Sequence, residues 1–251
     1  LPVVNKIYSV EATPYGEKFN RSNKDSLSVI WSDQMYNSIR TVLDNSSGEY
    51  EEKRSRFLSW AFPVSSEDAV FSHLASLKKK YYDARHHCYA YIIESETEIQ
   101  RFSDDGEPSG TAGLPILEAI RKKGLTNILV VVVRYFGGIL LGASGLVRAY
   151  GKAAVSALDN ALIVTRKLCY KTCVRMDYAL YGKIRNFIDS RSFPVYDSEF
   201  TDIVELVIIL EDDRKENFYK EIVEITGGKA EVEFGQKVHA YFDEEGNYVT
   251  L

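Results

Sequence analysis

Asn127-Ile-Leu-Val-Val-Val-Val-Arg-Tyr135 runs directly into Phe136-Gly-Gly-Ile-Leu-Leu-Gly-Ala-Ser-Gly145. The apolar run Ile128 to Val133 offers no polar face, as expected of a strand covered on both sides. Just upstream lies a polar, acidic turn, Arg101-Phe-Ser-Asp-Asp-Gly-Glu-Pro-Ser-Gly-Thr-Ala-Gly113. Two glycine-rich loops thus bracket one buried strand, an arrangement by which α/β domains build a site. The segment Gly110 to Lys123 predicts a helix ending at Gly124. Ser144 to Leu158 predicts another, with Leu146, Val147, Tyr150, Ala154 and Leu158 at helical spacing.

Toward the N-terminus, Ser38 to Leu43 reads as a short strand, Asp44 to Gly48 as a polar turn, and Ser55 to Pro63 as an edge strand. Ser65-Ser-Glu-Asp68 is a helix N-terminal signal, followed by Val70, Phe71, Leu74 and Leu77 on one face and by Lys78, Lys79 and Lys80. Cys88 to Ile93 is β-branched and aromatic, and Glu98 to Phe102 pairs with it as a hairpin. Residues 1–34 lack a sustained period and read as an extension or leader, an arm packed through Val29, Ile30 and Trp31, with Met35 the natural start.

Toward the C-terminus the predicted order is strand Lys167 to Met176, helix Ala179 to Ser190, strands Pro194 to Phe200 and Ile203 to Leu210, helix Lys215 to Thr226, and strand Glu231 to Tyr241. This is the βαββαβ, ferredoxin-like split pattern. The fold class is therefore α+β, with a first domain at 35–164 and a second at 165–251, joined by a short connection at Thr165 to Lys167.

Composition sets bounds on function. The 251 residues are 45% hydrophobic and 27% charged, with a formal charge of −5. Residues 35–164 hold 15 basic and 15 acidic side chains, and residues 165–251 hold 12 and 17. Unspecific nucleic-acid binding, which needs a basic field, is disfavoured. Any RNA contact needs a local patch, for which Arg101, Arg121, Lys122, Lys123, Arg134, Arg148 and Lys152 are available. No apolar run approaches the roughly 20 residues of a membrane span, and the expected location is the cytoplasm. Cys88, Cys169 and Cys173 lack zinc spacing; Cys169 and Cys173, four apart on a strand, sit about 13 Å from each other, too far for a disulfide.

Several candidate sites stay open at this level. Asp104, Asp105 and Glu107 have the chemistry of a hard-cation loop, but Gly106 and Pro108 equally indicate a tight turn. The same carboxylates could cap the N–H groups near Gly110, Thr111 and Gly113 and hold Arg101 or Arg134. The loop with Gly137, Gly138, Gly142 and Gly145 leads into a helix N-terminus, which suits an anion. It lacks the Walker A and dinucleotide orders, so packed backbones are the competing reading. His86 and His87 point to opposite faces of a strand and cannot easily share a metal. Ser103, Ser109, Thr111 and Ser144 lack a nucleophile-elbow context. Tyr81-Tyr82 and Tyr135-Phe136 are candidates for stacking on bases.

The stretches Lys53-Arg-Ser-Arg-Phe57, Asp83-Ala-Arg-His-His-Cys88, Phe102 to Gly113, Val132 to Gly142 and Gly145 to Tyr150 resemble the IMPACT/YigZ family, from about Ile39 to the C-terminus. The resemblance implies a first domain similar to the fourth domain of elongation factor G and to a small-subunit ribosomal protein domain, and a second similar to that factor's fifth domain. That pairing implies the ribosome or structured RNA as the setting; eukaryotic members regulate translation through a protein partner that the bacterial-type layout here does not carry over, and the resemblance marks His86, His87, Ser103, Asp104, Asp105, Gly106, Glu107, Pro108, Gly110, Thr111 and Gly113 as family-type loop residues. The leading expectation is a protein that binds structured RNA or the ribosome through Arg85, Arg134, Gly137, Gly138, Gly142, Gly145 and Arg148, with no cofactor and no metal. Two others stand beside it: an enzyme acting on a phosphorylated or nucleotide-like small molecule, and a protein-interaction module whose partner reads the acidic C-terminal domain.

Overall fold

The computed structural model describes residues 38–95 and 97–249. The expectations for the arm through Trp31 and for Met35 fall outside them. Two sheets organise the rest. The first has strand order β2-β3-β6-β4-β5, with β2 at Ser46–Glu52, β3 at Ser55–Pro63, β4 at His86–Ile93, β5 at Ile99–Ser103 and β6 at Ile128–Tyr135. Every neighbouring pair is antiparallel.

β6 is central, and its two faces belong to two cores. Ile128, Val130 and Val132 pack with helices α2 (Gly113–Lys122) and α3 (Gly142–Asp159), whereas Leu129 and Val131 pack with α1 (Glu67–Lys80). This explains the absence of alternation in the sequence. Ser66 caps α1 by accepting from the Ala69 amide, as its signal predicts. Phe71 and Val147, read as core-facing, are 54% and 41% exposed. Each sits one step off its helix's buried stripe, which Val70, Leu74 and Leu77 form on α1 and Leu146, Ala149, Tyr150 and Ala153 on α3.

One expectation needs correction. β3 is not an edge strand, because the supposed polar turn continues into β2, an alternating polar strand (Ser-Ser-Gly-Glu-Tyr-Glu-Glu) that takes the edge. It lies so close to α3 that a Cβ on Gly48 would collide with the Ser156 backbone. The expected strand at Ser38–Val42, β1, lies outside the first sheet and pairs antiparallel with the start of β7 (Ile163–Met176).

β7 begins the second sheet, of order β11-β10-β7-β9-β8, with β8 at Val195–Phe200, β9 at Val204–Glu211, β10 at Glu231–Phe242 and β11 at Tyr248–Val249. Helices α4 (Tyr178–Ser190) and α5 (Lys215–Thr226) cover one face through Ile184, Ile188, Phe218 and Ile222. β9 lies between β7 and β8, the split arrangement expected of βαββαβ. The units meet at one end of the first sheet. There Arg166 binds Glu94 at 2.7 Å, Arg40 pairs with Glu244, and the Leu43 amide donates to the Leu162 carbonyl at 2.9 Å.

Candidate functional site

At the opposite end of the first sheet four connections converge: the β2–β3 turn, the α1–β4 loop, the acidic turn between β5 and α2, and the glycine loop between β6 and α3. Strand register aligns the residues beneath them. Arg134 on β6 stands between Phe57 on β3 and His86 on β4.

The acidic turn is tied down by its own carboxylates, each in a different direction. Asp104 accepts from the backbone amides of Gly110, Ala112 and Gly113 at 2.8, 3.0 and 2.8 Å. It therefore acts as a remote cap, and α2 starts at Gly113 rather than Gly110. Asp105, held at a left-handed φ of 42°, accepts from the His87 amide at 2.7 Å. Glu107 is buried and accepts from Arg134 at 2.6 Å and from the Tyr150 hydroxyl at 2.7 Å. The Thr111 hydroxyl donates to the Pro108 carbonyl at 2.7 Å, and the Ser103 hydroxyl accepts from the Asp105 amide at 3.2 Å. Among the described residues no three His, Cys, Asp or Glu groups converge as a metal site.

Arg134 is the main correction to the candidate list. Its side chain is only 8% exposed and is paired with Glu107, not with Asp104 or Asp105. Its guanidinium lies 5.5 Å from the Phe57 ring and 5.6 Å from the Phe136 ring. Phe57 in turn meets Tyr150 edge-on at 5.1 Å. Arg134 thus links the turn, the sheet and α3 from below and is not a free surface cation. Burial beside Glu107 pushes the Tyr150 phenol far above its usual range, and burial does the same to the Cys88 thiol, which donates to the Asp104 carbonyl.

The histidines divide as strand geometry requires. His87 is buried; its Nε2 donates to the Tyr81 carbonyl at 3.2 Å, and burial lowers its pKa despite Asp105 nearby. His86 is half-buried, with Nδ1 held at 2.8 Å by the Asp105 carbonyl. A carbonyl only accepts, so the proton is on Nδ1 and Nε2 is left open.

The glycine loop mixes packing and exposure. A Cβ on Gly137 would overlap the Arg54 carbonyl and the Ser55 amide, and the Gly137 N–H donates to the Ser55 hydroxyl. Gly138 and Gly142 have φ of 81° and 70°, and Gly145 is buried. Phe136, Ile139 and Leu140 project outward.

Of the seven cations proposed for a patch, Arg148 stands exposed on the second turn of α3. Arg121 and Lys123 bind Glu118 and Asp159 near the far end, beside Lys122; Lys152 lies against Tyr50, and Arg101 is on the β5 edge. The convergent end instead draws its charge from Lys53, Arg54, Lys79, Lys80 and Arg85, all exposed. Together with Arg148, none of these has a carboxylate within ion-pairing distance among the described residues. Lys53 and Arg54, at φ of 48° and 67°, reach this end through the β2–β3 turn. Sequence reasoning missed that hairpin and therefore their place.

Residues 53–158 match the family model described as the Impact N-terminal domain, and residues 174–229 match a domain of unknown function (DUF1949). Over 215 residues the chain is 36% identical to the IMPACT family member YvyE of Bacillus subtilis, covering 86% of this chain and 98% of that one. This chain belongs to the IMPACT family. It is also 31% identical over 184 residues to the family member YigZ of Escherichia coli, covering 72% of this chain and 90% of that relative. A crystal structure described as that of a hypothetical protein is 28% identical, with a TM-score of 0.52 over 80% of this chain and 98% of that one. The Impact N-terminal match takes in all four converging loops, together with Glu107, Arg134 and Tyr150.

Proposed function

We propose that this IMPACT-family chain modulates translation by binding ribosomal RNA through the loop-bearing end of its first unit. The observation that supports this reading is that the loops and helix ends at this end of the sheet carry exposed Lys53, Arg54, Lys79, Lys80, Arg85 and Arg148, with exposed Tyr82 and Phe136. In a chain of net charge −5, these cations outnumber the exposed carboxylates Glu51 and Asp83 at the same end and stand among aromatic rings, the local excess of positive charge that RNA contact requires. The end lies away from the second unit and is unobstructed by it. The similarity of the two units to the fourth and fifth domains of elongation factor G, and a cytoplasmic setting, belong to the same reading.

The experiment is co-sedimentation with ribosomes and their subunits across a salt series. Wild type is compared with Arg85→Ala/Arg148→Ala and with Arg121→Ala, a control at the far end. Each lost phosphate contact should lower the log–log salt slope by about 0.7 to 0.9. Identical binding by wild type and the double variant would show that the surface is misplaced, and no sedimentation at low salt would end the proposal. Among the described residues no helix is long and apolar enough to cross a membrane.

A further inference from the structure

A cleft of about 610 Å³ opens at this end, lined by Asp83, Arg85, His86, Arg134, Phe136 and Leu140 among others. We infer that it receives one unstacked nucleotide of a single-stranded RNA segment, with the base against Phe136 and the phosphate near Arg85; this rests on the RNA reading above and names its ligand.

The cleft has the size of a small-molecule site, typically about 300 to 1,000 Å³. It exceeds the clefts of about 200 and 240 Å³ where the two units meet. Its walls divide by chemistry. On one side Phe136 and Leu140 remain 53% and 83% exposed, an apolar surface that a flat ring would cover. On the other, Arg85 supplies an exposed positive charge, and His86 presents Nε2, which in the neutral imidazole accepts from a base N–H or a ribose hydroxyl. Arg134 forms the floor.

The platform is held in advance. Glu107 fixes Arg134, and the Arg134 guanidinium backs the Phe136 ring at 5.6 Å. The facing loop is anchored by the Tyr135 hydroxyl, which donates to Asp83 at 2.8 Å; burial and that carboxylate push the Tyr135 pKa up to about 12. A ring on a fixed support loses little freedom when a base stacks on it, which favours binding. A paired base inside a duplex has no free face to offer such a recess, whereas a splayed-out one does.

The test measures binding of a labelled single-stranded RNA hexamer, a 12-base-pair RNA duplex and AMP to the whole chain. Loss of one stacking ring should weaken the hexamer roughly 5- to 150-fold in Phe136→Ala. Phe136→Trp should retain wild-type affinity, which separates stacking from misfolding, and duplex binding should not change. Hexamer affinity unchanged in Phe136→Ala overturns the inference, as does AMP displacing the hexamer at equal concentration, which would assign the cleft to a free nucleotide. Ribosome co-sedimentation separates this failure from that of the function. Wild type that ignores ribosomes yet binds the hexamer through Phe136 defeats the translation reading alone. Ribosome binding lost in Arg85→Ala/Arg148→Ala, with hexamer affinity indifferent to Phe136, defeats the cleft alone.

Discussion

Removing the Glu107 carboxylate should reveal how much of the first unit depends on the link beneath the acidic turn. The Arg134–Glu107 pair spans 2.6 Å with side chains 8% and 4% exposed, so water can replace little of what either partner loses. Breaking a buried pair by deleting one member costs about 3 to 5 kcal/mol, because the other charge stays buried and unpaired. Glu107→Ala also strands the buried Tyr150 hydroxyl, adding about 1 to 3 kcal/mol. Against a domain stability of about 5 to 15 kcal/mol, the sum of roughly 4 to 8 kcal/mol is enough to leave the first unit partly unfolded at room temperature. Trp60 reports on this unit, since it packs against Tyr81 with ring centroids 4.9 Å apart. The assay is urea unfolding followed by Trp60 fluorescence in a Trp31→Phe background. Glu107→Ala/Arg134→Met should recover much of the loss, because no unpaired charge remains. A shift below about 1 kcal/mol in Glu107→Ala, or a double variant as unstable as the single, would refute the reasoning.

Asp104→Ala removes the acceptor of three amides and should cost about 2 to 3 kcal/mol, with faster hydrogen exchange at Gly110, Ala112 and Gly113. Gly137→Ala drives a Cβ into the Arg54–Ser55 backbone and should destabilise by about 1 to 3 kcal/mol. Gly151→Ala, which meets nothing within 4 Å inside α3, should be neutral or stabilising by up to about 1 kcal/mol, and thermal melts distinguish the two. His87 has its folded pKa lowered by burial, so the unfolded chain takes up the proton first as pH falls. Its contribution is complete above the unfolded value near 6.5 and is lost as pH drops from there toward the folded value; His87→Gln should flatten stability against pH in that window. Burial raises the Cys169 and Cys173 thiols to about 12 and 11, so alkylation at neutral pH should be slow until denaturant is added.

Local signals were sufficient where local forces decide. Six apolar residues in a row located β6, the Ser66 signal located α1, and the strand and helix order of residues 163–242 gave the split βαββαβ pattern, because each depends on periodicity or capping within a few residues. β2 was lost because a polar edge strand carries almost no hydrophobic alternation; its identity comes from pairing with β3. The pairing of β1 was not legible for a related reason. Its alternation specifies a strand but not a partner, and its partner β7 lies more than a hundred residues away. The turn was legible as a unit, including its capping role, but the assignment of each carboxylate was not. Asp104, Asp105 and Glu107 are nearly equivalent in sequence. Only the positions of the α2 amides, the His87 amide and the Arg134–Tyr150 pair decide which oxygen goes where.

By itself the sequence determined most of the chain's elements, its two-unit composition and the residues from which a site could be built, since these follow from short-range propensity and patterning. The tertiary structure decided that Arg134 is internal, that Lys53, Arg54, Lys79 and Lys80 join Arg85 and Arg148 at one end, and that Phe136 overlooks a cleft. Those facts follow from strand register and from how four separate loops meet, and such long-range pairings leave no mark on the local pattern of residues.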